Sequence, residues 1–376
     1  MKVEDIATPA AVIDLQRMHH NIGRMQQRMD ELGVKFRPHV KTSKSLPVVE
    51  AQIKAGAQGI TVSTLKEAEQ FFAAGISDIL YAVSMAPSKL PQALALRRKG
   101  CNLTLLTENI ESARAISSFG KEQGEVFDIL IEIDTDGHRS GIKPDDSRLL
   151  EVAAVLAKGA NNIAGVMTHA GASYALNTPK ALEAMAEQER QGCVHAALCL
   201  RDAGFPCPVV SVGSTPTALS AQSLDGVTEV RAGVYVFFDL VMCNVGVCTQ
   251  SDVALSVLTT VIGHQPEKGW AIVDAGWMAM SQDRGTRGRD ADYGYGQVCA
   301  LDGSPIKNYI ISNANQEHGI ISCTSSIDTG ISKKFPVGTL LRILPNHACA
   351  TAAQFPNYQA IAQDGEITEW PRFYGW

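Results

Sequence analysis

The chain has no C-x-x-C pair among its nine cysteines, no basic run and no apolar stretch long enough to span a bilayer. The most apolar segment, 232–248, is interrupted by Asp239 and Asn244 and falls short of the roughly 20 residues a spanning helix needs. The opening MKVEDIATPA lacks an apolar core of the secretory type and reads as no signal segment. An odd, unpatterned cysteine count in a chain of 376 residues reads as reduced thiols in a cytoplasmic protein rather than a disulfide framework. A formal charge of −6 gives no electrostatic reason to bind nucleic acid, so neither a nucleic-acid nor a membrane partner is expected. Ordinary globular composition, 45% apolar and 19% charged, suits one large domain with a smaller one.

What is present is alternation. Apolar residues step by three and four through Leu15, Met18, Ile22, Met25, Met29 and Leu32, the spacing of an amphipathic helix. Strand-like runs follow at 34–40, 59–62, 79–83, 102–106, 127–133, 163–168, 208–212 and 227–231, with helix-period segments between them. Eight strands joined by helices imply parallel pairing, and eight is the number that closes a (β/α)8 TIM-type barrel. A doubly wound open sheet is the alternative. After about residue 250 short β-runs with Gly-rich turns replace helical periodicity, so an α/β barrel over 15–245 and a C-terminal all-β domain over 246–376 are expected. The extended segment 8–14 is expected with the latter.

Lys41 ends the first strand candidate, in Arg37-Pro38-His39-Val40-Lys41-Thr42. Barrel enzymes place active-site residues at the carboxyl ends of strands, and a lysine amine there can serve as a nucleophile. A solvated lysine is the plain alternative, and Lys44 is read as one. Gly213-Ser214-Thr215 opens a helix after the seventh strand, a turn able to face an anion. Phosphate sites in such barrels commonly follow strands seven and eight.

Together these segments resemble the fold-type III family of pyridoxal-phosphate (PLP) enzymes, which joins a barrel to a β-domain. The resemblance covers nearly the whole chain and is strongest to the D-serine dehydratase and D-threonine aldolase branch. It implies that Lys41 carries PLP as a Schiff base. Glu132-Ile-Asp-Thr-Asp-Gly-His-Arg139-Ser-Gly141 resembles the family segment whose arginine lies by the cofactor's phenolic oxygen, although Asp136 departs from the usual small residue. The resemblance further implies that His169 stacks on the pyridine ring and that Tyr174 contacts its nitrogen. In Glu229-Val-Arg-Ala-Gly233-Val-Tyr235 it implies that Gly233 and Tyr235 complete the phosphate cup begun by Gly213, Ser214 and Thr215.

Pro345-Asn-His347-Ala-Cys349 supplies a second pair. On an extended segment, side chains two apart point to the same side, and imidazole with thiolate suits zinc. Two ligands are too few for a closed structural site and fit one that leaves positions open. The run resembles the metal pair of the same branch, which implies Zn2+ or another divalent metal on His347 and Cys349. Asp274-Ala-Gly276, Ser281-x-Asp283 and Glu317-His318-Gly319 also match, with Glu317 or His318 as candidates to orient the ligands.

The resemblance implies a PLP- and zinc-dependent lyase acting on a β-hydroxy-D-amino acid, and a homodimer. Dehydration of D-serine or D-threo-3-hydroxyaspartate to a keto acid and ammonia is the expected reaction, with Lys41 and His169 as catalytic residues. A D-threonine aldolase and an amino-acid racemase are the alternatives. For a substrate with a second carboxylate, Arg284 and Arg287 are the candidate cations.

Overall fold

The computed structural model describes residues 2–376. The chain opens with strand β1 (Ala10–Asp14) and helix α1 (Leu15–Glu31). Met18, Ile22, Met25 and Met29 of α1 are buried, so the apolar stripe of its sequence is its packed face.

A barrel follows: β2 (Lys35–Phe36), α2 (Leu46–Lys54), β3 (Ile60–Val62), α3 (Leu65–Ala73), β4 (Asp78–Ser84), α4 (Leu90–Arg98), β5 (Asn102–Thr107) and α5 (Ile110–Gln123). It continues with β6 (Asp128–Ile133), α6 (Arg148–Lys158), β7 (Asn162–Thr168), α7 (Pro179–Asp202), β8 (Val209–Val212), α8 (Thr215–Ser220) and β9 (Glu229–Val230). All eight strands are parallel, in the order β2-β9-β8-β7-β6-β5-β4-β3.

The two ends of that sheet meet. Thr61 N–H donates to Pro38 C=O at 2.8 Å and Val40 N–H donates to Thr61 C=O at 2.9 Å, making a parallel bridge between His39 and Thr61. The sheet is therefore a closed barrel, as the alternation predicts, and not an open one. The strand expected over 34–40 is reduced to β2, because Pro38 has no N–H to give to the ladder. Pairing resumes beyond it, with His39 N–H on Ala232 C=O at 2.8 Å.

Leu80, Leu106, Leu130 and Met167, one from each of four consecutive strands, form one buried cluster. Burying each contributes about 1.5–3 kcal/mol. Helix α3 starts in a reciprocal cap: Glu67 N–H donates to Thr64 Oγ1 at 3.0 Å, while Glu67 Oε2 accepts from Thr64 N–H at 2.7 Å. The other Glu67 oxygen lies 3.6 Å from Lys44 Nζ. Lys44 is thus not the solvated lysine expected; it compensates a buried carboxylate.

The second unit comprises α9 (Leu240–Val245), β10 (Leu255–Gln265), β11 (Trp270–Val273), α10 (Trp277–Met280), β12 (Gly296–Cys299), β13 (Pro305–Ala314), β14 (Gly319–Cys323) and α11 (Ile331–Lys334). It ends with β15 (Leu340–Pro345), α12 (Ala348–Ala352), β16 (Asn357–Ile361) and β17 (Ile367–Pro371). Strands β10, β11, β14, β13, β12 and β15 pair in a closed antiparallel ring, because β11 also pairs with β10. Strand β1 joins it antiparallel to β10 and carries β16 and β17 beyond. By packing, residues 24–233 with the last four form one compact unit, and 234–372 with the segment through Gly23 form the other. The division falls inside α1, whose first turns follow β1.

Gly165 sits at an irregularity of β7 with φ +152°, where a Cβ would lie 1.9 Å from Val209 C=O. Gly165→Ala is expected to destabilise the barrel by about 3 kcal/mol, read as a lower denaturation midpoint at unchanged slope.

Candidate active site

The barrel mouth gathers the chemistry. Lys41 follows the closing bridge immediately and its side chain is exposed. His39, His169 and Arg231 are close enough to interact electrostatically with one another, and Lys41 acts on both imidazoles. Burial, and then the Lys41 charge, push His169 down to about 3 against an opposing bond to Gly213, so its imidazole is neutral. His39 is pushed well down by burial, Lys41, Arg231 and His169, and its Nδ1 is buried with no hydrogen-bond partner.

His169 stands at the end of β7. Its Nδ1 lies 2.9 Å from Gly213 C=O at the end of β8, and its ring centroid is 6.0 Å from that of Tyr174. Gly213 has φ +133°, and a Cβ there would meet Arg231 C=O at 2.1 Å. Its N–H donates to Glu189 at 3.0 Å, and Ser214 N–H donates to Thr217 Oγ1 at 3.0 Å. Gly213 and Ser214 therefore spend their N–H groups inside the protein. Ser214 Oγ accepts from Thr217 N–H and meets Ser173 Oγ at 2.8 Å, and Thr215 is the first residue of α8. Gly233 allows close approach of another kind, since a Cβ would sit 3.0 Å from His39 C=O.

Arg139 is largely exposed, with Nη2 3.8 Å from a Glu132 oxygen. Burial and the charge of Glu108 raise Glu132, and Arg139 opposes them. Tyr235 belongs to the other unit, fully buried in the turn Val234–Val236.

Sequence reasoning assigned no role to Arg231, the most embedded cation of the mouth. Its Nε donates to Ser211 Oγ at 2.8 Å, and its Nη2 donates to Thr168 C=O. Ser211 in turn donates to Glu229 at 2.8 Å, and Glu229 pairs with Arg37 at 2.9 Å. The signal was present, because Arg231 lies within the segment quoted for Gly233 and Tyr235. Glu189, in the middle of α7, had none.

In the β-unit, His347 is extended (φ −136°, ψ 106°), but Cys349 lies in the first turn of α12, so the two do not share a strand face. They meet through the imidazole: Nδ1 lies 2.6 Å from Asp283 Oδ2, and the Cys349 side chain hydrogen-bonds the same ring. Burial opposes charge on His347, but Asp283 and Cys349 outweigh it and raise the group to about 11. That bond in turn holds the Asp283 carboxyl below its usual range.

The segment is pinned on both sides. Asp239 Oδ2 accepts from Ala348 N–H at 2.9 Å, and Asn346 Nδ2 donates to Gly294 C=O at 2.7 Å. Asp283 orients His347; Glu317 and His318 do not, being exposed on the turn between β13 and β14. Arg284 lies 3.3 Å from Asp292 and 5.0 Å over the Tyr295 ring, while Arg287 is exposed.

Both sites suit the groups expected of them. The mouth concentrates Lys41, Arg231, Arg139 and two neutral imidazoles, a positive field that an anionic phosphate-bearing aldehyde would relieve, and His39 Nδ1 is a buried atom lacking a partner. With Nδ1 engaged by a carboxylate, His347 offers Nε2 beside a thiol, the arrangement of a metal-binding histidine. Among the described residues no group of three or more His, Cys, Asp or Glu side chains could hold a metal, so two protein ligands would leave the remaining positions open.

Residues 13–241 match the family model of the alanine racemase N-terminal domain, and residues 254–361 match that of a putative serine dehydratase domain. The chain is 66% identical to D-threo-3-hydroxyaspartate dehydratase of Delftia sp. (strain HT23), over 98% of each chain. It is 30% identical to D-serine dehydratase of Dictyostelium discoideum, over 97% of this chain and 96% of that one. The solved structure of the Delftia enzyme covers all of both chains at a TM-score of 0.99 and 65% identity. Two further solved structures of a D-threo-3-hydroxyaspartate dehydratase, each 64% identical to this chain, replace a cysteine, in the metal-free form, and a histidine two positions before it, the spacing of His347 and Cys349.

The His169 shift sets a pH dependence. Below its ordinary 6.5, the unfolded chain binds a proton that folded His169 refuses until about pH 3. Stability from this group is therefore complete above pH 6.5 and is lost on acidification toward pH 3. His169→Gln is expected to flatten that part of the stability–pH curve in urea titrations. Asp283→Asn is expected to lower metal affinity about 10–100-fold, measured as metal retained after dialysis.

Proposed function

This chain belongs to the fold-type III family of PLP enzymes, in the branch of D-serine dehydratases and D-threonine aldolases, and we propose that it dehydrates D-threo-3-hydroxyaspartate, with D-serine as the second candidate, to a keto acid and ammonia. Membership makes it a PLP-dependent lyase. The observation that carries the choice of a β-hydroxy substrate is the His347 imidazole held by Asp283 with Cys349 on the same ring. An α-proton transfer alone, as in racemisation, has no use for it. Near-complete identity in length and two-thirds in sequence to a D-threo-3-hydroxyaspartate dehydratase supports the substrate.

In this reading the barrel unit holds PLP. When bound, PLP supplies an electron sink for negative charge at Cα. Lys41 Nζ would hold it and take the α-proton, and His169, whose imidazole is neutral, would support the ring. By resemblance, Arg139 would hold the cofactor's phenolic oxygen and Tyr174 would hold its ring nitrogen. Gly213, Ser214, Thr215 and Gly233 would receive the phosphate, with Tyr235 assigned to the same cup by resemblance to the family.

The β-unit holds the metal through His347 and Cys349, and zinc suits that N/S pair. When bound, the metal supplies a Lewis acid for a β-hydroxyl oxygen. No helix among the described residues is long and apolar enough to cross a membrane. All nine cysteines are free, which supports a cytoplasmic location. By resemblance to the family, the assembly proposed is a homodimer.

Purified protein incubated with D-threo-3-hydroxyaspartate, D-serine and D-threonine is expected to yield keto acid and ammonia, to lose that activity to a chelator and to regain it with zinc. Glycine with an aldehyde would move the reaction to aldol cleavage. Appearance of the L-enantiomer alone would sink the lyase reading. Lys41→Ala is expected to lose the visible cofactor band on dialysis and about 10²–10⁴-fold in rate.

A further inference from the structure

Glu189 is a buried carboxylate in the middle of α7, 2% exposed, at a position where a leucine or methionine would fill the space. Burying a charge is costly unless it is well compensated, and an apolar residue of similar volume often serves packing as well or better. What distinguishes Glu189 is where one of its oxygens points. Oε1 accepts from Ala170 N–H at 2.9 Å and from Gly213 N–H at 3.0 Å. These amides belong to two different loops, one after β7 and one after β8, and both loops bear on the same imidazole. Ala170 is the neighbour of His169 in sequence, and Gly213 C=O is the partner of His169 Nδ1 at 2.9 Å.

We propose that Glu189 is a positioning residue that fixes the orientation and tautomer of His169 by clamping both of its anchor points on a single carboxylate oxygen. A carbonyl only accepts, so the Gly213 contact requires the proton on Nδ1 and leaves Nε2 as a lone pair. That assignment holds only while the Gly213 C=O keeps its direction. The peptide that carries this C=O is held by Ser214 N–H on Thr217 Oγ1, and the one before it by Gly213 N–H on Glu189, which also hydrogen-bonds Thr217, so Glu189 steadies both peptides of a glycine at φ +133°. Burial raises Glu189 toward its neutral form, while Thr217, the two amides and Arg231 stabilise the anion. The clamp thus draws on the same Arg231 that donates to Ser211 and to Thr168 C=O. With PLP in the mouth, His169 would present an acceptor and no donor at Nε2; this consequence rests on the proposed cofactor site, whereas the clamp itself does not.

The test is imidazole nitrogen NMR on holoenzyme labelled with ¹⁵N-histidine, the His169 signal identified by its loss in His169→Gln. The wild-type chain is expected to show His169 protonated on Nδ1. Glu189→Met is expected to mix the two tautomers, to lower kcat about tenfold with KM little changed, and to alter the circular dichroism of the cofactor band. Glu189→Gln keeps an acceptor oxygen and is expected to restore most of all three. Should Glu189→Met not fold, Glu189→Asp, charged but one methylene too short to reach both loops, is expected to show the same mixture. An Nε2-protonated wild type, or an unchanged tautomer in Met or Asp, overturns the proposal. The tautomer measured again in Lys41→Ala keeps the two readings apart, since it judges Glu189 whether or not the mouth binds PLP.

Discussion

Two backbone hydrogen bonds to one residue, Thr61, decide what kind of protein this is. They join Pro38 and Val40 to β3 and turn an eight-stranded parallel sheet into a barrel. A closed barrel has a mouth at the carboxyl ends of its strands, and the chain leaves the closing bridge at Lys41. His169 after β7, Gly213 after β8 and Arg231 after β9 reach the same mouth because parallel strands all end on one side. Were the bridge missing, these residues would line an edge instead of a ring.

Closure also creates an electrostatic problem, which the interior answers with a chain of paired charges. Asp78, Arg37, Glu229, Ser211 and Arg231 follow one another by contacts of 2.8–3.1 Å and reach Thr168 C=O, next to His169. Burial, and then the charges of Lys41 and Arg231, keep both imidazoles there neutral. The β-unit works in the opposite sense. Asp283 and Asp239 bracket His347 and favour positive charge on it, the environment in which a cation can take a proton's place.

Much of this was legible in the residues. Periodicities of three to four and of two gave eight strands, seven intervening helices and a β-rich remainder. Strand ends went astray where backbone chemistry overrode side-chain pattern, as at Pro38, which removes a ladder donor from a run otherwise well suited to a strand. Lys44 was misread because a lysine's partner can come from another element, here buried Glu67. His347 and Cys349 do meet, but not through the geometry expected of an extended segment. A helical turn begins at Ala348, and the two side chains meet through hydrogen bonding rather than strand alternation.

By itself the sequence determined the alternation, the lysine at a strand end and the two residues with metal-ligand chemistry, because period and side-chain type are local properties. The tertiary structure alone decided which distant groups act on them. Asp283 stands 64 positions from His347 and Glu189 stands 24 from Gly213. A helix-centre glutamate carries no local mark of a buried role. Only the pairing of β7 with β8, with α7 between them in the chain, gives that carboxylate two amides to hold and makes it part of the site.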